Sequence, residues 1–281
     1  MCIRDRVITF SPSDKKGLDL KRGDELRAVN GEPVQTHQNR ESYFTKPSLD
    51  QELELTFRRG DSTFMINIQP VSFNTINTLR YDEWIDQNQT IVDQKSNKRI
   101  AYAHMKDMGT GELNKFLIDM TTEIYDRDAL ILDIRYNNGG NVHDNVLQFL
   151  SQKPYLKWKY REGALTVQPN FTPAGKPIIL LTNEQSLSDA EMTTEGFKRL
   201  GLGKVIGTET YRWIIFTTGK SLVDGSFYRL PSWGCYTLDG KNLEQVGVSP
   251  DIYVGMDFMD RLNQVDPQLD RAISEILGML K

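Results

Sequence analysis

A chain of 281 residues, 38% hydrophobic and 10% aromatic, can build one large core or two smaller ones, so disorder is excluded as its default state. A net charge of −4 leaves no basic footprint and excludes nucleic acid as the expected partner. Two cysteines, Cys2 and Cys235, exclude a disulfide framework and a paired-cysteine zinc site, and apolar runs such as Pro177–Leu181 are too short to span a membrane.

Met1–Arg6 is neither a signal peptide nor a natural lead into the β-rich pattern that begins at residue 7, and reads as a cloning or assembly scar ahead of a truncated frame. That pattern extends to about residue 74. A turn near Gly17 leads through Leu18 and Leu20 to Glu25–Val29, and Asn30-Gly31 is a tight-turn pair because both residues tolerate positive φ. The alternating runs Leu53–Phe57 and Phe64–Ile68 predict a hairpin joined by Arg59-Gly60-Asp61. The stretch GLDLKRGDELRAVNGEPV, with that hairpin, resembles bacterial PDZ modules. The resemblance implies a partial module whose leading strand and peptide-gripping loop would precede residue 7. An unrelated small β module is the alternative.

From residue 75 to residue 281 strands and helices alternate. Ile100–Ala103 reads as a strand, and Leu113, Phe116, Leu117, Met120 and Ile124 mark one helical face. Ala129–Ile134 is a nearly continuous apolar run of the kind buried on both faces of a sheet. A helix through Val146, Leu147 and Leu150 comes next, then a strand at Pro177–Thr182, a helix from about Ser188 to Leu200, and a strand at Lys204–Ile206. Leu269, Ile273, Ile276, Leu277 and Leu280 predict a last helix. The order implies an α/β layer built by crossovers.

Two loops after buried strands carry candidate chemistry. Around Ser188 a strand ends, a polar turn intervenes and a helix begins, which can expose a hydroxyl beside free backbone N–H groups. On local spacing alone, helix capping by Ser188 with Glu191, or by Ser186 with Asp189, is the simpler account. The second loop holds Gly139-Gly140, where backbone can approach a ligand closely; no Lys-Ser or Lys-Thr pair comes after it, which disfavours a nucleotide loop.

LDIRYNNGGN resembles the Asp-x-Arg-x-Asn-x-Gly-Gly strand end of the tail-specific protease family, and TNEQSLSDAE resembles its nucleophile turn. The resemblance continues through VIGTETYRWIIFTTGKSLVDGSFYRLP to YTLDGKNLEQVGVSPDI, over most of residues 100 to 255. It implies a crotonase-like peptidase core with a mixed sheet and flanking helices, a catalytic Ser188, and an oxyanion hole from the N–H groups of Asp189 and of Gly139 or Gly140. Many members place a catalytic lysine where Trp213 stands here. That departure points to the tricorn-like branch, which uses serine, histidine and glutamate. The matching glutamate is Glu244, which read alone would be a solvated loop carboxylate.

In that branch the histidine precedes the PDZ module, so the general base is expected upstream of this sequence and the 281 residues alone are expected to be nearly inert. The histidines present, His37, His104 and His143, and the lysine Lys220, are the substitutes. No metal or organic cofactor is implied. The implied partners are peptides or unfolded chains, with a homo-oligomer possible. The rival class is a non-catalytic peptide-binding scaffold, favoured by the bulky Tyr211, Arg212 and Trp213; a crotonase-like isomerase or hydratase is the lesser rival.

Overall fold

The structure is a computed structural model describing residues 7–44, 49–122, 124–168 and 175–280; the expected scar at residues 1–6 lies outside them. The chain divides into two compact units, one up to Gln87 and one from Asn88. In the first, β1 (Glu25–Val29), β2 (Glu32–Pro33), β3 (Leu53–Arg59) and β4 (Ser62–Ile68) form an antiparallel sheet in the order β2-β1-β3-β4. Alternate residues Leu53, Leu55 and Phe57 face inward with Ile66 and Ile68, so period-two patterning sets the register. Asn30 and Gly31 take φ of 49° and 75°, as a two-residue turn between twisted strands requires. A 24-residue helix, α1 (Phe73–Ser96), runs across the division between the units.

The second unit centres on five strands: β5 (Ile100–His104), β6 (Ala129–Asp133), β9 (Ile178–Thr182), β10 (Lys204–Gly207) and β13 (Ile252–Tyr253). Every pairing among them is parallel, in the order β13-β10-β9-β6-β5. The sheet expected to be mixed is therefore parallel. Its antiparallel pairs are confined to two separate ribbons, β7 (Lys157–Lys159) with β8 (Leu165–Val167), and β11 (Ile215–Ser221) with β12 (Phe227–Gly234). The reason lies in the connections: α2 (Thr110–Thr121), α3 (His143–Ser151) and α4 (Asp189–Arg199) each return the chain to the same end of the sheet.

β5, β6 and β9 are buried at all five positions, because both faces are covered. On one face Leu130, Leu132 and Leu180 pack with Phe116, Val146, Leu147 and Phe197 of the crossover helices. The opposite face meets α7 (Pro267–Met279), after the short helices α5 (Leu243–Val246) and α6 (Phe258–Leu262). No described helix is long and apolar enough to cross a membrane.

Candidate active site

A parallel sheet delivers all its strands' carboxyl ends to one edge, where loops can converge on a ligand. Three do so here. After β6 the chain runs Ile134–Gly140; after β9 it runs Asn183–Ser188; after β10 it runs Thr208–Ile214.

The β9 loop is pinned by buried hydrogen bonds. The Ser186 hydroxyl donates to the Ile134 carbonyl (2.8 Å) and accepts the Asn183 N–H (3.0 Å), while Asn183 Oδ1 accepts from Tyr136 and Gln185. Ser186 is thus structural and fully buried. Two residues on, Ser188 has φ 56° and ψ −116°, a sharp strand-to-helix turn that an L-residue adopts rarely. Ser188 and Glu191 are arranged as a capping box, with the Glu191 carboxylate accepting the Ser188 N–H at 3.1 Å and the Ser188 side chain set opposite the Glu191 N–H, yet the serine hydroxyl forms no hydrogen bond with that N–H. The Glu191 N–H goes to the Ser188 carbonyl instead, at 2.9 Å. The hydroxyl stands half-buried at the positive end of α4.

The glycine loop fits against it. A methyl built on Gly139 would lie 2.7 Å from the Ser188 Cβ and 3.2 Å from its Oγ, and one on Gly140 would lie 2.0 Å from the Met108 carbonyl oxygen. Both glycines are needed for the loop to thread between Met108 and the serine turn. The Gly139 N–H is already held by Asn137 Oδ1 at 2.9 Å. Gly140, exposed, is therefore the glycine whose N–H can meet a ligand. Asp189 opens α4, so its N–H lies outside the helix's own ladder.

The Asp189 carboxylate is buried. Its Oδ2 accepts the N–H groups of Val142 (2.7 Å) and His143 (3.0 Å), which ties the glycine loop to α4. Its Oδ1 lies 2.5 Å from His143 Nδ1, an ion contact off the line of a good hydrogen bond. Asp189 beside the ring raises the imidazole pKa against the opposing effect of burial.

Glu191 was legible only as a capping partner, yet it is the hub of the site. Fully buried, it accepts from Ser188 N and Trp213 N on Oε1, and from Arg212 N and the Thr210 hydroxyl on Oε2. No sequence signal linked it to a segment about twenty residues away.

The other candidates are dispersed. Glu244 is exposed on α5, where its N–H caps on Asn242 Oδ1. His104 is buried with Nε2 on the Arg135 carbonyl (2.9 Å), and desolvation lowers its pKa. His37 is exposed in the first unit, and Lys220 is exposed on β11 opposite Tyr228. Trp213 stands beside Glu191, half-exposed. Among the described residues no group of three His, Cys, Asp or Glu could hold a metal ion.

Comparison with known proteins adds to this geometry. A family model described as "Peptidase family S41" matches residues 99–254. The chain is similar to the tricorn protease of Thermoplasma acidophilum, with 32% identity over 275 residues covering 96% of this chain and 25% of that protein. With the tricorn protease of Thermoplasma volcanium the identity is 35% over 205 residues, 72% of this chain and 20% of that protein. The crystal structure of the tricorn protease superposes with a TM-score of 0.77 at 29% identity, over 92% of this chain and 25% of that one. The chain thus spans about a quarter of the length of these relatives.

Proposed function

The chain belongs to peptidase family S41, and from that premise we propose that it carries the nucleophile and oxyanion hole of a tricorn-like serine peptidase acting on short or unfolded peptides. The observation that carries the reading is the Ser188 hydroxyl, left uncapped in a positive-φ turn at the mouth of α4 and packed against Gly139. We read the core as crotonase-like and the first unit as a PDZ-like module.

Ser188 Oγ attacks the peptide carbonyl as a base takes its proton. The negative oxygen that develops is received by the N–H groups of Asp189 and Gly140, a contribution of about 3–4 kcal/mol per donor. Collapse breaks the C–N bond, the base returns its proton to the leaving amine, and water then hydrolyses the ester. We assign the base to an imidazole oriented by Glu244; of the described histidines, His104 has Nε2 on the Arg135 carbonyl, and His143 has Nδ1 on Asp189 and Nε2 3.4 Å from Asp144. The same commitment of the histidines favours the second reading, a scaffold that keeps the fold without turnover.

The test uses the intact protein. Ser188→Ala is expected to lower peptide hydrolysis by about 10⁶-fold, and a fluorophosphonate probe is expected to label Ser188. Unchanged turnover in the variant removes the assignment; an unlabelled, inactive parent selects the scaffold.

A further inference from the structure

The β10 loop passes close beside the serine turn. Tyr211 N–H donates to the Ser186 carbonyl (3.0 Å), and Trp213 N–H shares Glu191 Oε1 with the Ser188 N–H, at 2.7 Å and 3.1 Å. Two hydrogen bonds to one oxygen therefore separate the Trp213 main chain from that of Ser188. Between the two aromatic residues Arg212 sits at φ +71°, strained for a long side chain, and its N–H is locked onto Glu191 Oε2 at 2.8 Å. That reversal brings the two rings together, with centroids 5.7 Å apart and planes inclined by 32°. Tyr211 and Trp213 remain 48% and 51% exposed, whereas the next residue, Ile214, is buried and anchors the loop. An aromatic pair held rigidly by a buried carboxylate, yet half open to solvent, is a preformed apolar platform and not part of a core.

Its charge is neutralised locally. The Arg212 guanidinium is bound by Glu209 at 2.6 and 2.8 Å, and Glu191 is filled by four donors. The loop thus offers neither a free guanidinium for an acidic side chain nor a free carboxylate for a basic one.

We propose that Tyr211 and Trp213 form a substrate subsite that takes an apolar side chain, leucyl or aromatic, of the peptide lying across Ser188. The subsite rests on the peptidase reading for its position but not for its binding, which needs no turnover.

The experiment tracks the binding of three short blocked peptides, with Phe, Asp or Lys at one position in an otherwise alanine sequence, through tryptophan fluorescence and calorimetry. It uses the Ser188→Ala form of the 281-residue chain, alone and combined with Trp213→Ala or Tyr211→Ala. The Phe peptide is expected to bind more tightly than the other two by about tenfold, the discrimination one apolar pocket supplies. Either aromatic substitution is expected to abolish the preference, and Trp213→Phe to retain it. Equal affinities, a preference for Asp or Lys, no binding of any peptide, or a Phe preference that survives both alanine substitutions overturns the subsite. Failure of the nucleophile assignment reads separately, as unchanged hydrolysis by Ser188→Ala.

Discussion

Asp189 uses its side chain and its main chain for different tasks. Under the proposed mechanism its N–H receives the developing oxyanion, while its buried carboxylate fastens Val142 and His143, two and three residues beyond Gly140. His143 completes this clip, with Asp189 Oδ1 at 2.5 Å from Nδ1 and Asp144 Oδ1 at 3.4 Å from Nε2. These two carboxylates, one from α4 and one from α3, are the charges that act on the ring, and they raise its pKa above the ordinary 6.5. A raised histidine pKa means that the folded state binds the proton more tightly than the unfolded one. The stabilisation is therefore fully present below the unfolded value and is lost as pH rises through the folded value. His143→Gln is expected to cost up to about 1 kcal/mol at about pH 5.5 and almost nothing at about pH 8.5, by urea denaturation at both pH values. A deficit that is constant across the range would show that the ring contributes packing and not charge.

At the scale of elements, the β10 loop and α4 are one unit joined through Glu191. A carboxylate accepts at both oxygens, whereas an amide has one accepting oxygen and turns an NH₂ toward the remaining donors. Glu191→Gln is expected to leave some of the four donors unsatisfied in a buried place, at about 1–3 kcal/mol for each one lost. Amide exchange at Arg212 and Trp213 is expected to accelerate more than at β6; uniform acceleration would mean that the loop is held by something else. This coupling was illegible in sequence, because Glu191 is three residues from Ser188 but nineteen to twenty-two from its other partners. The legible elements obey the same logic. β5, β6 and β9 stood out as unbroken apolar runs because they are buried on both faces, and α2, α3 and α7 because each buries one stripe. α1 escaped notice because only Asn88, Val92 and Ser96 of its 24 residues are buried, so no apolar stripe marks it. β11 and β12 escaped because their ribbon is mostly exposed and shows no core-facing alternation. Ser188, Gly139 and Gly140 were singled out by motif as candidates, but that the Gly139 N–H belongs to Asn137 depends on a side-chain rotamer that no spacing reveals.

Across the second unit as a whole, the two faces of the sheet are closed by different means. The crossover-helix face is apolar, whereas the α7 face contains a buried polar knot beneath the candidate site. Arg135, 1% exposed, binds Asp133 through Nε and Nη2 at 2.6–3.0 Å, and through Nη1 reaches Asp266 and Gln268 at the start of α7. Asp133 also accepts from the Tyr102 hydroxyl at 2.8 Å, and Tyr102 in turn accepts from Asn88. The Arg135 guanidinium therefore joins β6 to the start of the last helix, Asp133 carries the link on to β5 through Tyr102, and the glycine loop follows Arg135 in the chain. Burial is the largest single influence and would raise the Asp133 pKa, but the Arg135 charge, the His104 ring and the hydrogen bonds from Arg135 together more than offset it and hold the carboxyl below its ordinary value. A lowered carboxylate pKa stabilises the fold above the unfolded value and loses that contribution as pH falls through the folded one. Arg135→Met fills similar space but strands Asp133 without its cation, and is expected to cost about 3–5 kcal/mol at about pH 7. In the variant burial raises the Asp133 pKa, so protonation relieves the penalty and the gap between parent and variant is expected to narrow toward about pH 3. Denaturant titrations at the two pH values decide the matter. A gap that stays constant or widens in acid would mean that Arg135 acts through its hydrogen bonds to Asp266 and Gln268, and that α7 is anchored independently of the Asp133 charge.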